Sequence, residues 1–328
     1  MSTQLETIEQ RAKQAQALKL QATKEYEAGN IDKAINTERE FLKLRMSVID
    51  EITQEVKRQK SKPIWQIKKE VAARPKVIRR ETGIPALDRE LVTDDEYGYG
   101  KIGGFGIGNF IQIVGSKGAG KSTLLMKIIT NISLHEKVCW FDFEMGDARV
   151  VQKLNSFTYS DENLLYYNSD RDLTSVIDEI KFLHAMGACH FVIDSTMKIT
   201  VKGADKLDRN SIISSSLSEL TSTLGINIYI INQMSQQAEE MQVLKIKHGN
   251  DVEYDADFIF FILTLPKREN GKIIKDEIGR PVEDDTKRAI ICTKNRQDER
   301  KFTVLIPKEQ LMPTAIKEVI FERSYIDN

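Results

Sequence analysis

Eight consecutive residues, Gly115-Ser116-Lys117-Gly118-Ala119-Gly120-Lys121-Ser122, fit the pattern G-x-x-x-x-G-K-[ST] without a gap. Glycines at these positions let backbone N–H groups turn inward around phosphate oxygens. An apolar run, Phe110–Val114, leads into the loop, and an amphipathic helix over Lys121–Ser133 leads out of it. The start of such a helix adds a partial positive charge. Gly115 through Ser122, with Thr123 in the next position, are therefore the candidate nucleotide-binding residues. Lys121 is expected to reach the β- and γ-phosphates, and the Ser122 hydroxyl to bind Mg²⁺, which makes ATP with Mg²⁺ the expected ligand.

Two further acids fit this chemistry. Phe191-Val192-Ile193-Asp194 is an apolar strand that delivers a carboxylate to the edge of a sheet, where Asp194 would act on Mg²⁺. Cys139-Trp140-Phe141-Asp142-Phe143-Glu144-Met145 ends a strand that directly follows the phosphate-loop helix. A carboxylate there can polarise the water that attacks the γ-phosphate. Glu144 is the expected base. Asp142 is its rival, but alternation along the strand turns it to the other face.

These residues must be held by a sheet, and the pattern after residue 81 supplies one. Further strand signals run over Val138–Phe143, Ile226–Ile231, Phe258–Leu263, Arg288–Thr293 and Lys301–Ile306. Helices are expected over Asp172–Met186 and Asn210–Leu224. Alternating strands and helices imply an α/β domain with a mostly parallel sheet covered by helices on both faces. The last strands, joined by short polar connections, are expected to extend it antiparallel.

Residues 1–73 read differently. Thr3 and Glu6 are spaced as a capping box, and Leu5, Ile8, Ala12, Ala15, Leu18, Ala22 and Tyr26 form one apolar stripe. Gly29 and Asn30 suit a tight turn into a second helix carrying Ala34, Ile35, Phe41, Leu42, Val48, Ile49, Ile52 and Val56. The expectation is a helical hairpin that serves oligomerisation or docks a partner protein. A short third helix would start near Ser61 and Pro63, with Trp65 packed on the hairpin or anchored on a neighbouring subunit. Residues 74–81 read as a basic linker, and 82–328 as the ATPase domain.

The pieces together resemble the RecA-like ATPases, most closely the C-terminal motor domain of DnaB-type hexameric helicases. Thr82–Asp88 (TGIPALD) looks like that family's opening motif, and FEMGDARVVQKL like the segment bearing its catalytic glutamate. Asn210–Gln233 is similar to the helix and strand after the Mg²⁺-binding aspartate, and Asp251–Ile262 to an aspartate-rich strand start. The resemblance implies that Gln233 senses the γ-phosphate. It also implies that Lys294 and Arg296, a Lys-x-Arg pair, act as a basic finger on the next subunit's ATP. It further implies a homo-oligomeric, hexameric ring around single-stranded DNA. Loops facing the channel would hold Lys198, Lys202, Lys206 and Arg209, then Lys245, Lys247 and His248. The chain departs from the helicase pattern in Ser195-Thr196-Met197, which is nearer the recombinases, and in residues 1–80. A RecA- or RadA-like recombinase filament and a KaiC-like regulatory ATPase acting on protein are the alternatives.

Composition bounds these readings. The chain has 328 residues, enough for about two domains of ~100–200 residues each. Forty-eight basic and 49 acidic side chains give a net charge of −1, which excludes nucleic-acid binding through bulk charge and requires a local basic surface. No run approaches the ~18 apolar residues of a membrane span. No secretory signal is visible at the start. Cys139, Cys189 and Cys292 lie far apart among apolar residues, as reduced core residues of a cytoplasmic protein would. His135, His184 and His190 have no metal-ligand spacing.

Overall fold

The computed structural model describes residues 2–57, 63–73, 79–92, 103–234, 244–246, 250–270, 272–277, 279 and 281–311. Helices α1 (Ser2–Glu27) and α2 (Ile31–Lys57) form the expected hairpin around the turn at Gly29 and Asn30. Helix α1 already includes Thr3, so Thr3 does not stand at its N-cap. Helix α3 (Ile64–Ala73) follows, and its Trp65 is 65% exposed. Then come α4 (Pro85–Glu90), β1 (Phe110–Gly115), α5 (Lys121–Ser133), β2 (Lys137–Asp142), α6 (Asp147–Leu154) and β3 (Leu164–Tyr167). The chain continues through α7 (Leu173–Ala185), β4 (Ala188–Asp194), α8 (Lys206–Leu224), β5 (Asn227–Gln233), α9 (Asn250–Asp255) and β6 (Phe258–Pro266). A small hairpin, β7 (Arg268–Glu269) with β8 (Lys272–Ile273), precedes β9 (Glu283–Asn295), β10 (Phe302–Pro307) and α10 (Lys308–Leu311).

Eight strands form one sheet in the order β10-β9-β6-β1-β5-β4-β2-β3. Strands β1 to β6 run parallel, and β9 and β10 add the expected antiparallel edge. The sheet is RecA-like, mostly parallel with helices on both faces. Alternate residues of each central strand enter two separate cores, one with α7 and α8, the other with α5 and α4. Phe141 and Ile193 face the first, Trp140 and Val192 the second.

Several expectations need correction. Strand β3 has no counterpart among the expected strands, and it forms the sheet's free edge beside β2. Strand β9 is twice as long as its apolar run, because pairing with β6 carries it from Glu283 to Asn295. Lys206 and Arg209 lie in the first turn of α8 rather than in a loop. On α2, Ile35 and Leu42 are exposed, while Phe41, Val48, Ile49 and Ile52 are buried.

The hairpin is packed onto the sheet domain. Its Ile8, Ala12, Ala15, Phe41 and Val48 belong to the same core as α7. Phe41 meets Phe182 edge-on at a ring separation of 6.4 Å. The Arg45 guanidinium pairs with Glu179 at 2.7 Å and covers the Phe182 ring, and Lys181 donates to Thr53 at 2.9 Å. Two arginines of the basic segment are also tied down. Arg79 donates to the carbonyls of Leu91 and Gly104 at 2.8 and 2.5 Å, and Arg80 pairs with Glu136 at 2.5 Å. Glu136 also meets the buried His190 at 3.0 Å. Burial pushes the Glu136 carboxyl up, but His190 and Arg80 outweigh it and hold it below its ordinary range.

Candidate active site

Parallel strands place their C-terminal ends at one edge, and four expected residues meet there. Gly115 closes β1 and stands beside Gln233, the last residue of β5. Asp142 closes β2 beside Asp194, which closes β4. The turn of the phosphate loop needs its glycines. A Cβ on Gly115 would lie 2.5 Å from the Ile262 carbonyl oxygen, and Gly120 enters α5 at φ +104°, in the left-handed region. The Lys121 ammonium lies across the loop, donating to the carbonyls of Gly115 and Ser116 at 2.9 and 2.7 Å.

Asp194 is almost fully buried. Burial raises its carboxyl most, a hydrogen bond from Ser122 pulls it down, and Glu144 and Asp142 push it up again, to about 6. Its Oδ2 is buried without a hydrogen-bond partner. A buried carboxylate oxygen beside a serine hydroxyl, at the mouth of a phosphate loop, fits a hard cation completed by phosphate oxygens. Among the described residues no group of three or more His, Cys, Asp or Glu could hold a metal.

The two rival acids divide cleanly. Asp142 is buried and accepts from the backbone N–H groups of Glu144, Met145 and Gly146 at 3.1, 2.8 and 2.6 Å. Glu144 is exposed at the loop that Asp142 holds, close enough for its charge to raise Asp194. A polar chain crosses the same edge: Thr196 donates to Asn232 at 3.1 Å, and Asn232 to Gln112 at 3.1 Å.

Lys294 and Arg296 are elsewhere. Strand β9 runs antiparallel, so Asn295 pairs with Phe258 at the start of β6, at the opposite edge from Gly115. Lys294 donates to the carbonyls of Glu253 and Tyr254 at 2.6 and 3.0 Å, closing the end of α9. Burial, then the charge of Arg296, lowers the Lys294 ammonium. Arg296 bonds the Tyr254 carbonyl and pairs with Asp257 at 3.3 Å. Of the basic candidates, Lys198, Lys202 and Lys245 are exposed, and Arg209 is half-buried. Lys247 and His248 lie outside the described residues, as does the side chain of Lys206.

Two contacts at the site escaped the sequence reading. Arg288, buried at the near end of β9, donates from Nε to the Ala119 carbonyl at 3.2 Å and pairs with Asp285 at 2.9 Å. Tyr166 of β3 donates to Asp142 at 3.0 Å. Neither partner is local in sequence. The only signal for β3 was the run Leu164-Leu165-Tyr166-Tyr167 between asparagines.

Residues 108–234 match the family model described as AAA domain. No curated protein matches this chain in sequence. Among solved structures, a DnaB-like replicative helicase, described with its interactions with primase, superposes with a TM-score of 0.56 at 15% identity, covering 85% of this chain and 80% of that one. An ATPase domain solved by itself gives 0.55 at 18% identity, with 76% and 95% covered. The KaiC-like protein PH0186 of the hyperthermophilic archaeon Pyrococcus horikoshii OT3 gives 0.53 at 17% identity, with 72% and 97% covered. Among the described residues no helix is long and apolar enough to cross a membrane. Loop, sheet order and matched segment together make this chain a P-loop ATPase of RecA-like fold.

Proposed function

We propose that the protein is an ATP-driven motor on single-stranded DNA, a helicase or translocase working as a ring of identical subunits. The observation that carries this reading is the position of Lys294 and Arg296 at the sheet edge opposite the phosphate loop. From there the pair can serve only the ATP of another copy, which makes the active site a shared one. Reaching that site would exchange the Tyr254 carbonyl bonds for phosphate oxygens.

Within one subunit, the phosphate loop and Lys121 bind the phosphates, and Ser122 and Asp194 hold Mg²⁺. The ion, when bound, neutralises charge on the β- and γ-oxygens. Glu144 orients the attacking water and takes its proton. Gln233, adjacent to Gly115, registers the γ-phosphate at the end of β5. The segments after Asp194 and Gln233 carry Lys198, Lys202, Lys206, Arg209, Lys245 and Lys247, which would track the DNA backbone through phosphate contacts. Residues 1–73 assist assembly or receive a protein partner, a role supported by the exposed apolar side chains of Ile31, Ile35, Leu42 and Met46 on α2.

The test is unwinding of a forked duplex together with ATP turnover with and without single-stranded DNA. DNA-stimulated turnover and unwinding support the reading. Strand exchange without unwinding would instead mark a recombinase. A KaiC-like regulatory ATPase is the second reading, favoured by the comparable superposition on PH0186. Turnover indifferent to DNA would select it.

A further inference from the structure

Asp142 stands two residues before Glu144 and makes no contact that chemistry on the phosphate would require. Its carboxylate is used up on structure: Oδ1 accepts from the amides of Glu144 and Met145, and Oδ2 from that of Gly146. The next bond to Oδ2 comes from the Tyr166 hydroxyl, at 3.0 Å. Tyr166 pairs with Trp140 across the β2–β3 ladder, so its ring lies on the same face as Asp142, one pleat away. Each of these bonds ends on an ionised carboxylate, the stronger class of hydrogen bond. Burial, then the bond to Asp142, raises the Tyr166 hydroxyl to about 12, so it remains a donor throughout the neutral range.

We propose that Tyr166 is a positioning residue for hydrolysis: its hydroxyl fixes Asp142, and Asp142 fixes the backbone of the loop that presents Glu144 to the phosphate loop. The inference rests on the reading of Glu144 as the base. A water-activating carboxylate must be held in a narrow range of positions to be effective. Glu144 is itself exposed, so its placement depends on this backbone. Tyr166 is 40% exposed and forms one wall of a groove of about 300 Å³ whose other side includes Lys19, Leu42 and Arg45 of the N-terminal hairpin. The hairpin and the Glu144 loop therefore share one side chain. This gives residues 1–57 a physical route to the rate of hydrolysis.

Tyr166→Phe removes one oxygen and leaves the ring. The variant is expected to turn over saturating ATP about tenfold more slowly, the size of one hydrogen bond to a charged group. Its affinity for a fluorescent ATP analogue should stay within about twofold of wild type, because the phosphate loop is untouched. Amide exchange at Glu144, Met145 and Gly146 should accelerate. Asp142→Asn should shift both readouts in the same direction and further, since an amide cannot accept from all of these donors. Tyr167→Phe is the control: its hydroxyl bonds the Asp170 carbonyl at 3.3 Å, and turnover should not change. Wild-type turnover in Tyr166→Phe, or slowed turnover with unchanged exchange at residues 144–146, would overturn the proposal. Should Glu144→Gln hydrolyse ATP at the wild-type rate, the base assignment fails instead, and the exchange data still report whether Tyr166 holds the loop.

Discussion

Asp194 lies at the end of β4 with one carboxylate oxygen that no protein group meets, in a place where burial and two neighbouring acids disfavour its charge. The folded chain holds this proton up to about pH 6, whereas an unfolded chain releases it near pH ~4. Charge on Asp194 therefore lowers stability progressively between those values, and in full above the higher one. Asp194→Asn should raise the stability of the nucleotide-free protein at about pH 8 by up to ~3 kcal/mol, and leave it unchanged below about pH 4. Urea unfolding at the two pH values measures this, and the same variant should lose hydrolysis. Mg²⁺ with nucleotide should stabilise the wild type and not the variant. Lys121→Ala should lose tight ATP binding, and Glu144→Gln should keep binding but lose turnover. Nucleotide titration followed by a phosphate-release assay separates the two. Turnover that survives Glu144→Gln would remove the assigned base.

At the scale of elements, the docking of α2 on α7 decides how the N-terminal hairpin relates to the ATPase. Phe41 is buried between the two, edge-on to Phe182, with the Arg45–Glu179 pair beside it. Phe41→Ala should destabilise the protein by about 3 kcal/mol, at the lower end for a buried aromatic. Arg45→Ala should cost less, about 1 kcal/mol, because its pair lies at the edge of the packed region. Equilibrium denaturation of both variants checks the ranking. The two element types differed in how well they could be read. Helix α5 spans Lys121–Ser133 as expected, since its start is fixed by the phosphate-loop glycine and its apolar face repeats over three turns. Strand β3 went unread because four apolar residues give too short a run to carry a period. It exists because β2 offers an unpaired edge. The inward part of α2 was right at Phe41 and Val48 and wrong at Ile35 and Leu42, because a stripe does not say which of its flanks a neighbour covers.

At the scale of the whole molecule, the shared active site is the claim with most at stake. Arg296→Ala protein should bind ATP and hydrolyse it slowly, even at concentrations that drive assembly. Mixing it with Lys121→Ala protein should restore some turnover, because mixed interfaces pair an intact phosphate loop with an intact finger. Purely additive activity, in mixtures shown to exchange subunits, would leave Arg296 as a helix cap on α9. The sequence by itself determined the phosphate loop, Asp194, the α/β class and the antiparallel edge, since each is written in adjacent residues or in a local period. Glu144 was chosen over Asp142 by strand alternation, and the structure adds that Asp142 is occupied with three loop amides. Only the tertiary structure could bring Arg288 to Ala119, 169 positions away, or Tyr166 to Asp142. Likewise, only strand order and direction put Lys294 and Arg296 at the edge away from Gly115. The physical reason is common to all three. A local pattern fixes what a segment becomes, but which segments lie side by side, and in which direction, is settled by the packing of the whole sheet.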